Sequence, residues 1–594
     1  MNKPAIDPIY NCHTHIFTVM DVPPYLAKSI LPWPFHFLLR IDWLASLVKW
    51  FTDIRHKIKF KTSWYPIFIS TQYSIRIALK RYFILRLLKT SLVTYLLASV
   101  FYDQYTAIVQ PALEKVPAWL AQLATSLYSW LQETAFVIIT DNLLVKLVAL
   151  CVLLLLFPLG RNILFAILRS TNLFLKLIPG KQTFAILGRY TNIVRFANYK
   201  DQFRVYDRLK KQYPPGTKFI VLPMDMRYMD AGRPVRDYYE QMSMLATIKR
   251  NHEEVYPFVF IDPRRMKEDG EKFFRYRIEN NQVVLEDCLI KTYIEKEDFA
   301  GFKIYPALGY YPFDERLLPL WKYAADNGIP IMTHCIRGVI YYRGSKKKDW
   351  DRHPVFRHAE GSPLMLPQMK PVDVQEIFTH PLNYAVLYKE ALLAEAVGKA
   401  KDTRVKQLFG YHTQKVPVYM GAQGKGETRH EEKGFLQRGL CHLKLCFGHF
   451  GGEDEWKRFF EQDRNNYGHQ LINNPNRGIE ILTTEEGEFK PGRPIDIWEN
   501  ADWYSIICSL MLQHPNIYAD ISYILHGDLE ILPLLRHTMK HPILQTRVLY
   551  GSDFFVVRNH KSEKNMLADM MGGLLPQEFD LIARKNPVNY LKKG

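Results

Sequence analysis

The chain lacks most of the features that make a sequence easy to place. Its seven cysteines are scattered over 594 residues. Cys441 and Cys446 stand five positions apart with no second pair, which excludes a zinc ribbon and leaves buried free thiols in a reducing compartment. No basic-then-apolar leader opens the chain, and a strand-like run begins almost at once, so the start is expected to stay in the cytosol. There is no internal repeat and no sustained heptad. Acidic residues are scarce in one region: Met20 to Pro215 carries 9 Asp and Glu against 25 Lys and Arg, an excess of 16 out of the chain's net +18. No RNA- or DNA-binding motif accompanies that charge, so nucleic acid is excluded as a partner.

The basic region is also the most hydrophobic one. Thr90–Val109 contains Asp103, and Ala135–Leu159 contains Asp141, Asn142 and Lys146. Neither is a clean run of about 20 apolar residues, the length that spans a bilayer. Arg76, Lys80, Arg81, Arg86 and Lys89 precede the first window, and Arg161, Arg169, Lys176, Lys181, Arg189 and Arg195 follow the second. The connecting Gln110–Thr134 has only Lys115 as a basic residue. That asymmetry fits a transmembrane hairpin with both ends cytosolic. Two other readings stay open. One is a soluble helical subdomain. The other is a set of amphipathic helices in the membrane interface, which Lys57–Arg86 and Asn162–Ile178 suit. Membrane lipid is the expected partner of this segment, with the rest of the chain at the cytosolic face.

Outside it, short apolar runs alternate with helical patterns. The first is Ile9–His15, and the others are Lys218–Met226, Tyr256–Asp262, Gly301–Tyr305, Ile329–His334, Leu443–His449, Asn516–Ile521 and Arg547–Asp553. Helical patterns follow at Tyr238–His252, Glu315–Asn327, Gly452–Asp463 and Gly527–Met539. Eight such units predict an α/β chain folded as a (β/α)8 TIM barrel. Residues 1–19 supply strand 1, 20–199 a mainly helical insertion, 200–337 strands 2–5, 338–440 a second, polar, turn-rich insertion, and 441–594 strands 6–8 with a C-terminal helix.

Barrel sites form at the C-terminal ends of the strands. Strand 1 ends in His13-Thr14-His15, and strand alternation sends both imidazoles to one face. Strand 5 ends in His334, strand 6 in His449 and strand 8 in Asp553. Imidazoles and a carboxylate are donors for a divalent metal.

With the segments NCHTH at 11–15, GFKIYPALGYYPFDE at 301–315, GIPIMTHC at 328–335, CFGHFGG at 446–452 and YGSDFF at 550–555, the sequence resembles the amidohydrolase superfamily, in its amidohydrolase-2 branch of metal-dependent hydrolases and decarboxylases. The resemblance covers strand 1 and roughly residues 195 to 594. It implies that His13, His15 and His334 bind one divalent metal per chain, most often zinc. Asp553 would be a further ligand or the proton-accepting carboxylate, and His449 would polarise a carbonyl or shuttle a proton. Hydroxide attack on a carbonyl carbon is the implied chemistry.

Lys303, within strand 4, has three readings: a carboxylated bridge between two metals, an anchor for a substrate carboxylate, or a structural lysine. The anchor is preferred, because an ammonium near a metal suits an anionic substrate. Tyr305 and Arg337 are the other substrate-binding candidates. Asp225 could orient a ligand or cap a helix, and His380 could belong to a lid. The expected partner is a small carbonyl or carboxylate compound, possibly amphiphilic, and homo-oligomer formation is compatible with the sequence. Hydrolysis is the leading function. Nonoxidative decarboxylation is the alternative, and a membrane-anchored, non-catalytic binding barrel is the alternative of another class.

Overall fold

Each predicted apolar run becomes a short strand in the computed structural model. They are β1 (Tyr10–Thr14), β2 (Lys218–Val221), β3 (Val255–Phe260), β4 (Gly301–Ile304), β5 (Ile331–His334), β6 (Leu445–Gly448), β7 (Ile517–Asp520) and β8 (Val548–Leu549). They pair in that order, all in parallel. The sheet closes on itself where the Cys12 amide donates to the Tyr550 carbonyl at 2.8 Å and the Asp553 amide to the His13 carbonyl at 2.9 Å. The expected (β/α)8 barrel is thus present.

The structure describes residues 7–26, 64–85, 116–133, 201–420, 427–461, 467–484, 487–525, 529–554 and 561–593, with residues 87, 199 and 556. The chain forms two compact units, one of residues 1–40 with 187–594 and one of residues 41–186. The second unit is narrower than the expected 20–199 insertion. One reason is that residues after β1 pack with the barrel: Asp21 is buried and pairs with Arg236 at 3.1 Å. Two helices are described in the second unit, α1 (Trp64–Arg81) and α2 (Ala118–Glu133). Among the described residues no helix is long and apolar enough to cross a membrane. The windows Thr90–Val109 and Ala135–Leu159, and Asn162–Ile178, lie outside the described residues.

Inside the barrel, register decides what points inward. Lys303 stands beside Met332, Met332 beside Cys446, and Cys446 beside Tyr518. Paired residues on adjacent strands share a face, so this row from β4 to β7 points one way. Met332, Cys446 and Tyr518 belong to the apolar plug that also contains Cys12, Phe258 and Leu549. Lys303 therefore enters the barrel interior. Tyr590, from the C-terminal helix Asn586–Leu591, packs on Tyr518 with ring centroids 5.2 Å apart.

Outer helices include Tyr238–Asn251, Leu318–Asp326 and Trp503–Gln513. Asp502 caps the last of these by accepting from the Ser505 amide at 2.7 Å, which satisfies an end-group amide. The segment 338–440 is more ordered than a turn-rich loop. It holds the helices Pro371–Thr379, Glu390–Gly398 and Thr403–Phe409 and a long hairpin of His412–Met420 with Glu427–Phe435. Phe378, Tyr384, Val386 and Leu393 from this segment are buried in the core. Polar and glycine-rich stretches masked this apolar set in the sequence.

Candidate metal centre

The strand ends bring His13, His15, His334, His449 and Asp553 together, and all five are buried. His15 Nε2 lies 3.3 Å and His13 Nε2 3.9 Å from Asp553 Oδ1. One ligand atom each from His13, His449 and Asp553 falls within 4.8 Å of the others, a spacing that can hold a metal ion.

Hydrogen bonds settle which nitrogen of each ring carries the proton. His15 Nδ1 is 2.8 Å from the Leu222 carbonyl oxygen, and His449 Nδ1 is 3.1 Å from that of Ser522. A carbonyl only accepts, so both Nδ1 atoms donate. His13 Nδ1 donates to Asp520 Oδ2 at 2.8 Å. With its Nδ1 protonated, neutral His449 offers a lone pair at Nε2, and His334 Nδ1 donates to it at 3.1 Å. His13 and His334, whose pKa values burial holds low, are then each left with a lone pair on Nε2. The Nε2 atoms of His13 and His334 are buried without a hydrogen-bond partner.

Charge in the site is consistent with this. Burial pushes the His13 pKa down to about 3, against the opposing pull of Asp520. Burial, with the nearby His449 and Lys303, holds His334 well below the ordinary value. Burial also lowers His449, although Asp553 and Asp520 pull the other way. Burial alone would raise Asp553, but the hydrogen bond with His15 and the surrounding imidazoles outweigh it and hold the carboxyl below its usual range. Asp520 is held down likewise, with burial opposed by His13. Neutral imidazoles facing ionised carboxylates are a donor set suited to a divalent metal, and the unpartnered Nε2 atoms give it somewhere to bind.

Asp520 is the residue the sequence reading passed over. It ends β7, orients His13, and its Oδ1 accepts from the amides of His449 at 3.1 Å and Ser522 at 3.0 Å. Its place at a strand end was a usable signal. Backbone geometry is unusual at the same ends. His449, Phe450, Tyr523 and Asp553 all have positive φ, between 43° and 69°, a region few non-glycine residues occupy. Gly448 is required by close approach: a Cβ there would meet His13 Cε1 at 2.9 Å and the Thr333 carbonyl oxygen at 2.5 Å.

The remaining candidates have different surroundings. Lys303 Nζ is buried with no hydrogen-bond partner, and burial lowers its pKa to about 8 against the pull of Asp520 and Asp553. Tyr305 stacks on His334, with centroids 3.9 Å apart and planes 14° from parallel. Arg337 is half exposed and pairs with Asp373 and with Glu376, so its charge is compensated where it stands. Asp225 is buried against Arg265. His380 is buried and stacked on Trp498 at 3.9 Å. A cavity of about 480 Å³ lies among the loops after β5, β6 and β7, bordered by Ile336, Gly451, Trp498, Trp503 and Tyr523.

No protein-family model matches the chain, and no similar sequence was found among curated proteins. Solved structures do match. A dihydroxybenzoic acid decarboxylase from Polaromonas sp. JS666, with bound manganese and 2-nitroresorcinol, is 12% identical over 70% of this chain and 91% of that one, with a TM-score of 0.33. A 2,6-dihydroxybenzoate decarboxylase complexed with 2,6-dihydroxybenzoate is 10% identical over 72% and 95%, with a TM-score of 0.31. A 5-carboxyvanillate decarboxylase from Novosphingobium aromaticivorans DSM 12444, with manganese and 4-hydroxy-3-methoxy-5-nitrobenzoic acid, is 12% identical over 71% and 87%, with a TM-score of 0.34.

Proposed function

We propose that this chain is a metal-dependent hydrolase acting on a small carbonyl compound at the cytosolic face of a membrane. The observation that carries the reading is the pair of buried, unpartnered Nε2 atoms of His13 and His334 in one cluster with His15, His449 and Asp553. His13, His15, His334 and Asp553 would hold a divalent metal, with zinc as the expected ion. When bound, such an ion acidifies water toward neutral pH and polarises a carbonyl.

The residues supply the rest. Asp553, ionised because its pKa is held low, accepts a proton at its carboxylate. His449 is oriented by Ser522 through Nδ1, and its Nε2, which accepts from His334 Nδ1, is the atom that would take or return a proton at the reacting carbon or leaving group. Asp520 keeps His13 in the tautomer that offers Nε2 outward. Lys303, cationic at neutral pH, binds an anionic group of the substrate, and Tyr305 flattens one wall by stacking on His334.

Nonoxidative decarboxylation is the second reading. It is favoured by the unpartnered Lys303 ammonium, a complement for a substrate carboxylate. Turnover in ¹⁸O-labelled water separates the two. Hydrolysis places one label in the acid product, whereas decarboxylation releases carbon dioxide with no label in the organic product. Metal-loaded protein that turns over no ester, lactone, amide or carboxylate would leave only the non-catalytic binding barrel. The membrane location is supported by the basic excess of residues 20–215, and cell fractionation tests it.

A further inference from the structure

The seam where the barrel closes carries part of the candidate metal centre on each side. His13 lies on β1 and His15 just after it, and Asp553 comes shortly after β8. Strand pairing is thin here. β8 is two residues long, and the register of β1 against β2 shifts between Asn11 and Thr14. Asp553 has a φ of 59°, which no strand can hold. A regular ladder therefore does not by itself fix the residues that carry these ligands.

The side chain of Asn11 reaches across the gap. It is buried, and its amide makes four hydrogen bonds, the full capacity of an asparagine. Oδ1 accepts from the His13 amide at 3.3 Å and from the Ser552 amide at 3.1 Å. Nδ2 donates to Ser552 Oγ and to the Tyr213 hydroxyl, each at 2.8 Å. Ser552 Oγ accepts in turn from the Phe554 amide at 3.3 Å, so both chain neighbours of Asp553 are tied to one cluster. Gly551 packs directly on the same histidine: a Cβ there would meet His13 Cβ at 2.8 Å.

The direction of these bonds is determined. An amide NH2 only donates, so Tyr213 accepts from Asn11 and turns its own proton to Glu563 Oε2 at 2.6 Å. Tyr213 and Glu563 are both buried. A flipped Asn11 amide would set its NH2 against two backbone donors, and its oxygen would face a hydroxyl whose proton is already given away. Sealing the barrel needs no such network, because the apolar plug around Cys12, Phe258 and Leu549 does that. Burying polar groups is costly unless all are paired, which points to a positional role for this set.

We propose that Asn11, oriented through Tyr213, is a positioning residue that sets Asp553 at its distance from His13 and His15. It acts through the backbone of His13 and Ser552. This inference rests on the reading that His13, His15, His334 and Asp553 hold a divalent metal.

The test uses the full-length protein and Co²⁺ alone, read by the visible absorption of the bound ion and by competition with a chelator. Urea melts of metal-free protein run alongside. Tyr213→Phe removes one partner of Asn11 Nδ2 and Ser552→Ala the other. Each is expected to weaken Co²⁺ binding about tenfold and to change the spectrum. Tyr388→Phe is the matched control, since the Tyr388 hydroxyl donates to the Leu443 carbonyl at 2.8 Å in a buried place outside the site. It should lower the urea midpoint and leave Co²⁺ binding and spectrum unchanged. Wild-type affinity and spectrum in Tyr213→Phe and Ser552→Ala would overturn the positioning role and keep the metal reading. An equal loss of affinity in Tyr388→Phe would also overturn it, by assigning the effect to general loosening. Wild-type protein that binds no Co²⁺ overturns the metal reading itself. If Tyr213→Phe does not fold, Ser552→Ala carries the same decision.

Discussion

The barrel and the two helices α1 and α2 treat side chains in opposite ways. At its strand ends the barrel buries His13, His334, His449, Lys303, Asp520 and Asp553, groups that water would solvate well. The helices expose Trp64, Phe68, Trp119 and Trp130, which water solvates poorly. Both choices cost stability in an isolated chain. Under the proposed function, a divalent metal and an anionic substrate would offset the first cost and a lipid surface the second.

The sharpest way to break the comparison is at the barrel. His334→Ala is expected to abolish activity and bound metal together, read by turnover and by elemental analysis. Asp553→Asn should reduce turnover by about 10²–10⁴-fold with metal partly kept, the range for loss of a general acid–base group. Retained activity in both variants would remove the site. Asp520→Asn tests the support behind His13 and should weaken metal affinity by about 10–100-fold.

Lys303→Met asks whether the buried ammonium is kept for function at a cost in stability. Replacing an unpaired buried charge by an apolar side chain of similar length is expected to raise unfolding stability by about 1–4 kcal/mol, while KM for an anionic substrate rises. Denaturant melts and steady-state kinetics check the two halves. A stability loss would show instead that Lys303 is structural.

Acid should weaken the barrel. His353 and His380 are buried, and burial pushes both pKa values down to about 3. A histidine that must stay neutral when folded, with an ordinary pKa near 6.5 when unfolded, stabilises fully above about 6.5. That contribution is lost as pH falls from there through the folded value. Urea midpoints of the barrel should therefore drop between about pH 6.5 and 4, and a flat profile would contradict it.

The smallest effect is expected at Arg337→Ala. Its pairs with Asp373 and Glu376 are partly exposed, so stability should change by less than about 1 kcal/mol. KM for an anionic substrate should move less than in Lys303→Met, and a larger rise would place Arg337 against the substrate after all.

Most of the strand-end set was legible because a (β/α)8 chain repeats one rule: each strand ends at the same face. His13, His15, His334, His449 and Asp553 could be found by counting strands. Asp520 obeys the same rule but was passed over, because an aspartate after an apolar run reads as an ordinary helix cap. The buried stack of His380 on Trp498, and the pairing of Arg337 with Asp373 and Glu376, join residues from different segments. Nothing in local spacing announces them.

Sequence alone determined the eight strands, their parallel alternation with helices, and the concentration of positive charge in one hydrophobic region. These are local properties, readable from periodicity and composition. Only the tertiary structure decided which imidazole nitrogen keeps its lone pair and that Lys303 enters the barrel without a hydrogen-bond partner. Those depend on register between strands far apart in the chain and on what packs against each side chain.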